Sequence, residues 1–409
     1  MTAIEILGFI GILLIIGFLA DYLFRKISLP DVLILLVLGY LIGPVFNIVD
    51  SSQLASASQI IANLALVVIL FNEGMDLEFD KILSGAPRAV ALVLLGIGIS
   101  MASITAFMYY VLDWELMNSL LLGAIISGTS PAIVMPLINR ANVPVEVSSV
   151  LNLESAFNGA LVIVIALVIL EIMTTGQTGN EVSMVGQAIA IRFLLGAAIG
   201  TAAGFFWLWI LTLLEGETYD DILTLAMVFL LYFGVESVQG SGVIFALVFG
   251  LILGNGIKVA KLLRIERTVE VHELMMKFHS QMSFLIKTFF FVYLGLIITF
   301  DEPAFIAQGI VLAFILLFVR YIVVLLSSIG NNTLSSNRGM LTTMLPRGLS
   351  AAVVAEIVVG SGVTNAFVYP DIIMVIIVTT VVIASIGIPI FSRRSPSQAD
   401  AIVVEEMPQ

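Results

Sequence analysis

A handful of ionisable and hydroxyl side chains sit where hydrocarbon would be expected, and they are the residues with chemistry to offer. Glu154 and Asn158 lie four residues apart in NLESAFNGALVIV, with Ser155 beside the glutamate. That spacing puts the carboxylate and the amide on one helix face. Thr129 and Ser130 precede Pro131 in GAIISGTSPAIVMP. Arg347 stands in TTMLPRGLSAAVV, and Glu356 follows in the same apolar stretch. Lys287 lies inside FLIKTFFFVYLGL, and Glu73 ends the third apolar run, in LFNEGMD. A carboxylate among hydroxyl, amide and carbonyl oxygens suits a hard monovalent cation. The same carboxylate can hold a proton instead, so the set could trade one for the other.

Each of these groups needs a reason to be where it is. An ionisable side chain at the centre of a bilayer costs roughly 2.5–3.5 kcal/mol on insertion scales. Buried Arg347 must pair, with Glu154 the expected partner and Glu356 the rival. Lys287 needs a partner too. Glu73 has a blander reading as a solvated helix end, since Asp76 and Glu78 follow it. Arg192, Arg320 and Glu236 lie near the ends of apolar runs and are expected to snorkel, without a function.

Other chemistries are excluded by what is missing. There is no cysteine, hence no disulfide framework and no thiolate metal site or nucleophile. Only His272 and His279 could supply imidazole, which rules out a multi-histidine metal site. No nucleophile–base pair can be assembled, so an enzyme is not expected. The net charge of -12 does not point to nucleic acid. No cofactor is expected; a monovalent cation and protons would enter as substrates at the oxygen-bearing residues.

The elements that must position these residues are membrane spans. Of the 409 residues 60% are hydrophobic and 11% charged, against about 45–50% and about 25% in soluble domains. With roughly 20 apolar residues per span, about thirteen can be read: 4–24, 31–49, 55–74, 87–112, 115–138, 146–173, 185–214, 219–236, 241–256, 278–299, 303–327, 336–359 and 370–392. The first is a membrane helix and not a signal peptide, because many more follow. No stretch is long and polar enough for a soluble domain. Residues 1–392 read as one transmembrane unit and 393–409 as a cytoplasmic tail. The odd-numbered loops, their flanks and the C-terminus hold Arg25, Lys26, Lys81, Arg88, Arg140, Lys258, Lys261, Arg264, Arg267, Lys277, Arg338, Arg393 and Arg394, while the even-numbered loops hold no Lys or Arg. The positive-inside rule then predicts the N-terminus outside and the C-terminus in the cytoplasm.

Two spans carry interruptions. The fifth has Gly128, Pro131 and Pro136; the twelfth has Pro346, Arg347 and Gly348. Proline removes a backbone donor and clashes one turn back. Backbone freed in this way survives at membrane depth only where protein or water satisfies it. Seven spans separate the two breaks, so one span runs inward and the other outward. That is the arrangement of inverted repeats with a midplane site between two broken helices.

At these residues the chain resembles the monovalent cation/proton antiporter superfamily, and within it the Na+/H+ antiporters of the NhaP type. LFNEGMDLEFDKI, SGTSPAIV, LESAFNG, FLIKTFFFVYLGL and LPRGLSAAVVA carry the likeness, in order along nearly the whole chain. The resemblance implies an all-α polytopic fold of thirteen helices, with the fifth and twelfth unwound and crossing. It further implies a core bundle moving against a dimerisation bundle, and a homodimer in the lipid bilayer. It assigns an ion-site role to Glu73, Thr129 and Ser155, and a structural pair to Glu154 and Arg347. The function it implies is exchange of a monovalent cation, Na+ with K+ or Li+ as alternatives, for protons. Two positions depart from the family pattern: Ser130 stands where an acid precedes the proline, and Gly159 where an aspartate follows Asn158. With those acids absent and Glu154 committed to Arg347, Glu73 and Glu356 remain as carriers. The alternative is a relative whose coupling is lost or altered, acting as a passive pathway or a sensor.

Overall fold

The computed structural model describes residues 3–27, 30–49, 55–77, 79–141, 143–175, 181–214, 219–262, 273–298 and 302–392. All regular structure there is helical. The helices are α1 (Ala3–Ile27), α2 (Asp31–Tyr40) with a π-helical continuation (Leu41–Val45), α3 (Ala55–Met75), α4 (Phe79–Val111), α5 (Leu116–Ile125) and α6 (Pro131–Arg140). Then come α7 (Val145–Thr175), α8 (Glu181–Leu213), α9 (Asp220–Ser237), α10 (Gly242–Gly254) and the short α11 (Gly256–Leu262). The last are α12 (Glu273–Ile297), α13 (Pro303–Ser327), α14 (Asn332–Ser336), α15 (Arg338–Thr343), α16 (Leu349–Gly360) and α17 (Val368–Ser392). Taking α5 with α6 and α15 with α16 as interrupted spans, and setting aside α11 and α14, the described helices make thirteen spans. Among the described residues six helices are long and apolar enough to cross a membrane; α5 and α16, one half of each interrupted span, are among the shorter apolar helices. The tail, 393–409, lies outside the described residues, as does 263–272 of the basic loop.

Both interruptions follow from their prolines. Helix α5 stops at Ile125, residues 126–130 are non-helical, and α6 restarts with Pro131 in its first turn. Proline suits that place, because the N–H it lacks would have no intrahelical partner. Pro136, by contrast, lies within α6 and does not end it. In the twelfth span α15 ends at Thr343 and α16 begins at Leu349, with Pro346 between.

Helices α3 and α10 pack almost backbone to backbone. A Cβ on Gly250 would run into the carbonyl oxygen of Phe71, and one on Gly254 into that of Met75. Gly250 and Gly254 are four residues apart, the small-residue spacing that lets membrane helices approach closely. That contact fixes the end of α3, where Glu73 sits. Elsewhere large apolar side chains such as Phe314 and Phe318 on α13 lie bare on the outside, as expected of a surface facing lipid.

Candidate ion site at the paired interruptions

The two breaks meet. The backbone N–H of Ser130 donates to the carbonyl oxygen of Pro346 at 2.9 Å. The Arg347 guanidinium donates through Nη1 to the Ser127 carbonyl oxygen at 2.9 Å, and its backbone N–H donates to Thr380 Oγ1 on α17 at 3.1 Å. Ser127 lies just past the C-terminus of α5, where carbonyls lack helical partners and a cation is favoured. Each interruption thus satisfies part of the backbone that the other one frees.

The sixth span, α7, lies against this crossing. A Cβ on Gly159 would sit 3.6 Å from the Thr129 carbonyl oxygen, 3.6 Å from Pro131 Cδ and 3.9 Å from Ser350 Oγ. Thr129, Ser130, Ser155 and Asn158 are all buried. Ser155 Oγ donates to the Asn152 carbonyl oxygen at 3.1 Å. Among the described residues, Thr129 Oγ1 and Asn158 Oδ1 have no hydrogen-bond partner. Leaving a buried polar atom unmade costs about 1–3 kcal/mol, so oxygens in this state beside a break are suited to a desolvated cation or to water. Ser130 packs directly against Gly348, whose added Cβ would meet Ser130 Oγ.

Glu73 is not a solvated helix end. It is 7% exposed, and its carboxyl accepts a hydrogen bond from the backbone N–H of Ala132, in the first turn of α6. A helix N-terminus favours a carboxylate there. Glu73 lines a cavity of about 860 Å³ together with Asp21, Asp76, Pro131, Asn152 and Lys287. Asp76, past the end of α3, accepts from Asn72 Nδ2 at 3.3 Å. The surrounding protein pushes its carboxyl up from 3.8 to about 6.

The sodium/hydrogen exchanger transmembrane domain matches residues 10–393. The chain belongs to the sodium/hydrogen exchanger family. As a member of that family it is a secondary transporter and not an enzyme. The exchanger is 27% identical to a probable Na+/H+ antiporter 2 of Methanocaldococcus jannaschii over 72% of this chain and 70% of that one. It is 24% identical to the K+/H+ antiporter NhaP2 of Shewanella baltica over 90% of this chain, and 24% identical to the K+/H+ antiporter NhaP of Alkalimonas amylolytica over 91%. It spans 63% and 64% of the length of those two relatives. Its fold matches the structure of the sodium proton antiporter MjNhaP1 from Methanocaldococcus jannaschii with a TM-score of 0.79 at 22% identity, covering 99% of both chains. The exchanger therefore has the all-α polytopic inverted-repeat fold with two broken, crossing helices.

The charges of this exchanger pair differently from the sequence expectation. Glu154 is held by Arg320 of α13 and not by Arg347. Arg320 Nη2 donates to Glu154 Oε2 at 2.7 Å, Nη1 donates to Oε1, and Nε donates to the Leu341 carbonyl oxygen at 3.0 Å. Both side chains are buried, at 5% and 1% exposure, so Arg320 does not snorkel. Its guanidinium turns inward because α13 packs against α4, α15 and α17, and its fork matches the carboxylate bidentately. Arg192, near a span end, pairs with Glu171. Lys287 has its partner in Asp31, Nζ to Oδ2 at 2.6 Å, and Asp31 Oδ1 accepts the Val32 N–H at 3.0 Å. Asp31 was not singled out from the sequence; its place at the head of α2 in LPDVLILL reads as an ordinary N-terminal acid. Glu356 is buried and lies apart from Arg347, whose side chain goes to Ser127; it accepts from Tyr293 OH at 3.4 Å.

Proposed function

We propose that this exchanger is a secondary active transporter that trades a monovalent cation, Na+ first with K+ and Li+ as alternatives, for protons across a cell membrane. Its site comprises Glu73, Thr129, Ser130, Ser155 and Asn158. The observation that carries this reading is the contact between the two breaks, Ser130 N–H to Pro346 O at 2.9 Å, beside the unpartnered oxygens of Thr129 and Asn158. The relatives' names, antiporters of Na+ or K+ against H+, support the class of substrate.

In this reading Glu73 is the titrating group. Ser130 and Gly159 carry no carboxylate, and Glu154 is neutralised by Arg320. Glu73 holds a proton in one half-cycle; in the other it gives that proton to cavity water and its carboxylate balances the cation. Alternating exposure of one site is what couples the two flows. The segregation of Lys and Arg supports an external N-terminus and a cytoplasmic C-terminus with the tail 393–409, and the resemblance supports a homodimer whose core and dimerisation bundles interleave along residues 1–392.

The test is exchange in proteoliposomes with an internal pH dye, comparing Na+, K+ and Li+. The parent is expected to move protons against at least one cation, and Glu73→Gln to abolish it. Exchange by Glu73→Gln at the parent's rate would overturn the role of Glu73. A second reading, a relative with coupling lost or altered, is favoured by the two missing acids. No exchange by the parent, with exchange created by Gly159→Asp, would establish it.

A further inference from the structure

Glu356 has no part in the site above, yet it is a carboxyl buried to 4% exposure in the half of the twelfth span that follows the break. Its Oε2 accepts from Tyr293 OH at 3.4 Å, a long contact, and its Oε1 has no hydrogen-bond partner among the described residues. The elements packed against α16 are α3, α5, α7 and α17, with α12 reaching it through Tyr293. Their core charges are otherwise engaged: Glu73 with Ala132, Glu154 with Arg320, Lys287 with Asp31. Asp371 on α17 has a partner of its own. Among the described residues, Tyr293 is the side chain that hydrogen-bonds Glu356.

The position is as telling as the surroundings. The cavity that holds Glu73 is lined by Pro131 and Pro136 of α6 and, on α12, by Ser280 to Lys287. Tyr293 lies six residues beyond Lys287, about 9 Å further along α12 at 1.5 Å per residue. Glu356 lies eight residues past Gly348, about 12 Å beyond the break. A second cavity, of about 460 Å³, opens at the start of α5 and the end of α16, lined by Glu115, Asn118, Thr174, Ser361 and Thr364. Ser361 is five residues after Glu356, about 7.5 Å away along the helix. Glu356 thus stands between the paired breaks and the second cavity, on the side of the breaks away from Glu73.

We infer that Glu356, with Tyr293, is a second proton-holding station of the transporter, serving the side opposite the Glu73 cavity. A buried carboxylate without a cationic partner is far costlier than a neutral carboxyl with one unmade hydrogen bond, so geometry alone favours the protonated form while the second side is closed. When water enters from the second cavity the group can ionise: the carboxyl O–H breaks, water takes the proton as hydronium, and the carboxylate keeps Tyr293 O–H as donor. The reverse step reloads it. The transport role rests on the antiport reading, whereas the proton site can be tested without it.

The experiment is infrared difference spectroscopy of the full chain in lipid, titrated across pH. The parent is expected to show a protonated-carboxyl C=O band that Glu356→Gln removes and Tyr293→Phe shifts, because the hydrogen bond to the carboxyl is gone. A band unaltered in Glu356→Gln overturns the inference. Should Glu356→Gln fail to fold, a band unmoved by Tyr293→Phe overturns it equally. A parent that keeps the Glu356 band but exchanges no cation for protons would sink the antiport reading and uphold the proton site.

Discussion

Glu154 on α7 and Arg320 on α13 face each other through both carboxylate oxygens, buried and 166 residues apart in the chain. With Glu154 taken by Arg320, Arg347 holds the end of α5 through Ser127 instead of pairing with Glu154 as expected. Breaking a buried pair strands the other charge and costs about 3–5 kcal/mol. Glu154→Ala and Arg320→Ala are each expected to lower the thermal midpoint of the detergent-solubilised protein strongly. Parent-like melting of both single variants would show that the pair contributes nothing.

The close approach of α3 and α10 makes a steric prediction. Gly250→Val puts a branched side chain where the Phe71 carbonyl oxygen lies, and overpacking of this kind costs about 1–3 kcal/mol. Gly96→Ala on α4, which has open space around it, serves as the control and is expected to be neutral to slightly stabilising. Equal melting of the two variants would contradict the packing of α3 on α10.

Asp76 makes stability depend on pH. Its carboxyl is pushed up from 3.8 to about 6, so the folded protein binds that proton more tightly than the unfolded chain does. The stabilisation is fully present below about pH 3.8 and is lost as pH rises through about 6. Because this cavity-lining side chain is exposed, water screens the effect and the slope is shallow. Asp76→Asn is expected to remove it. Melting curves of parent and variant between pH 4 and pH 7 that run parallel would refute this.

Gly159→Asp should be accommodated, since a Cβ there makes only ordinary contacts at 3.6 Å and beyond. It brings a carboxylate beside the Thr129 carbonyl oxygen and within reach of a cation there. The expected outcome is parent-like melting with tighter cation dependence of exchange, read as a lower half-saturating Na+ concentration. An unfolded variant would mean that the crossing cannot admit a side chain.

The spans and both interruptions were legible in the linear chain because they are local properties. A run of apolar residues long enough to cross hydrocarbon needs no tertiary partner to be recognised, and Pro131 and Pro346 break a helix wherever it packs. The oxygen-bearing set Thr129, Ser130, Ser155 and Asn158 was legible for the same reason, through its place beside a proline and along one helical turn. Which charge meets which was decided only by tertiary structure. Arg320 lies close enough to a span end to reach the interface, Arg347 stands at the break beside the site, and only the packing of α13 turns the first toward Glu154 and the meeting of the breaks turns the second toward Ser127. Asp31 and Lys287 are likewise joined by the contact of α2 with α12. An ion pair depends on the direction of two side chains across an interface, and periodicity along one helix contains no information about the rotation of the next.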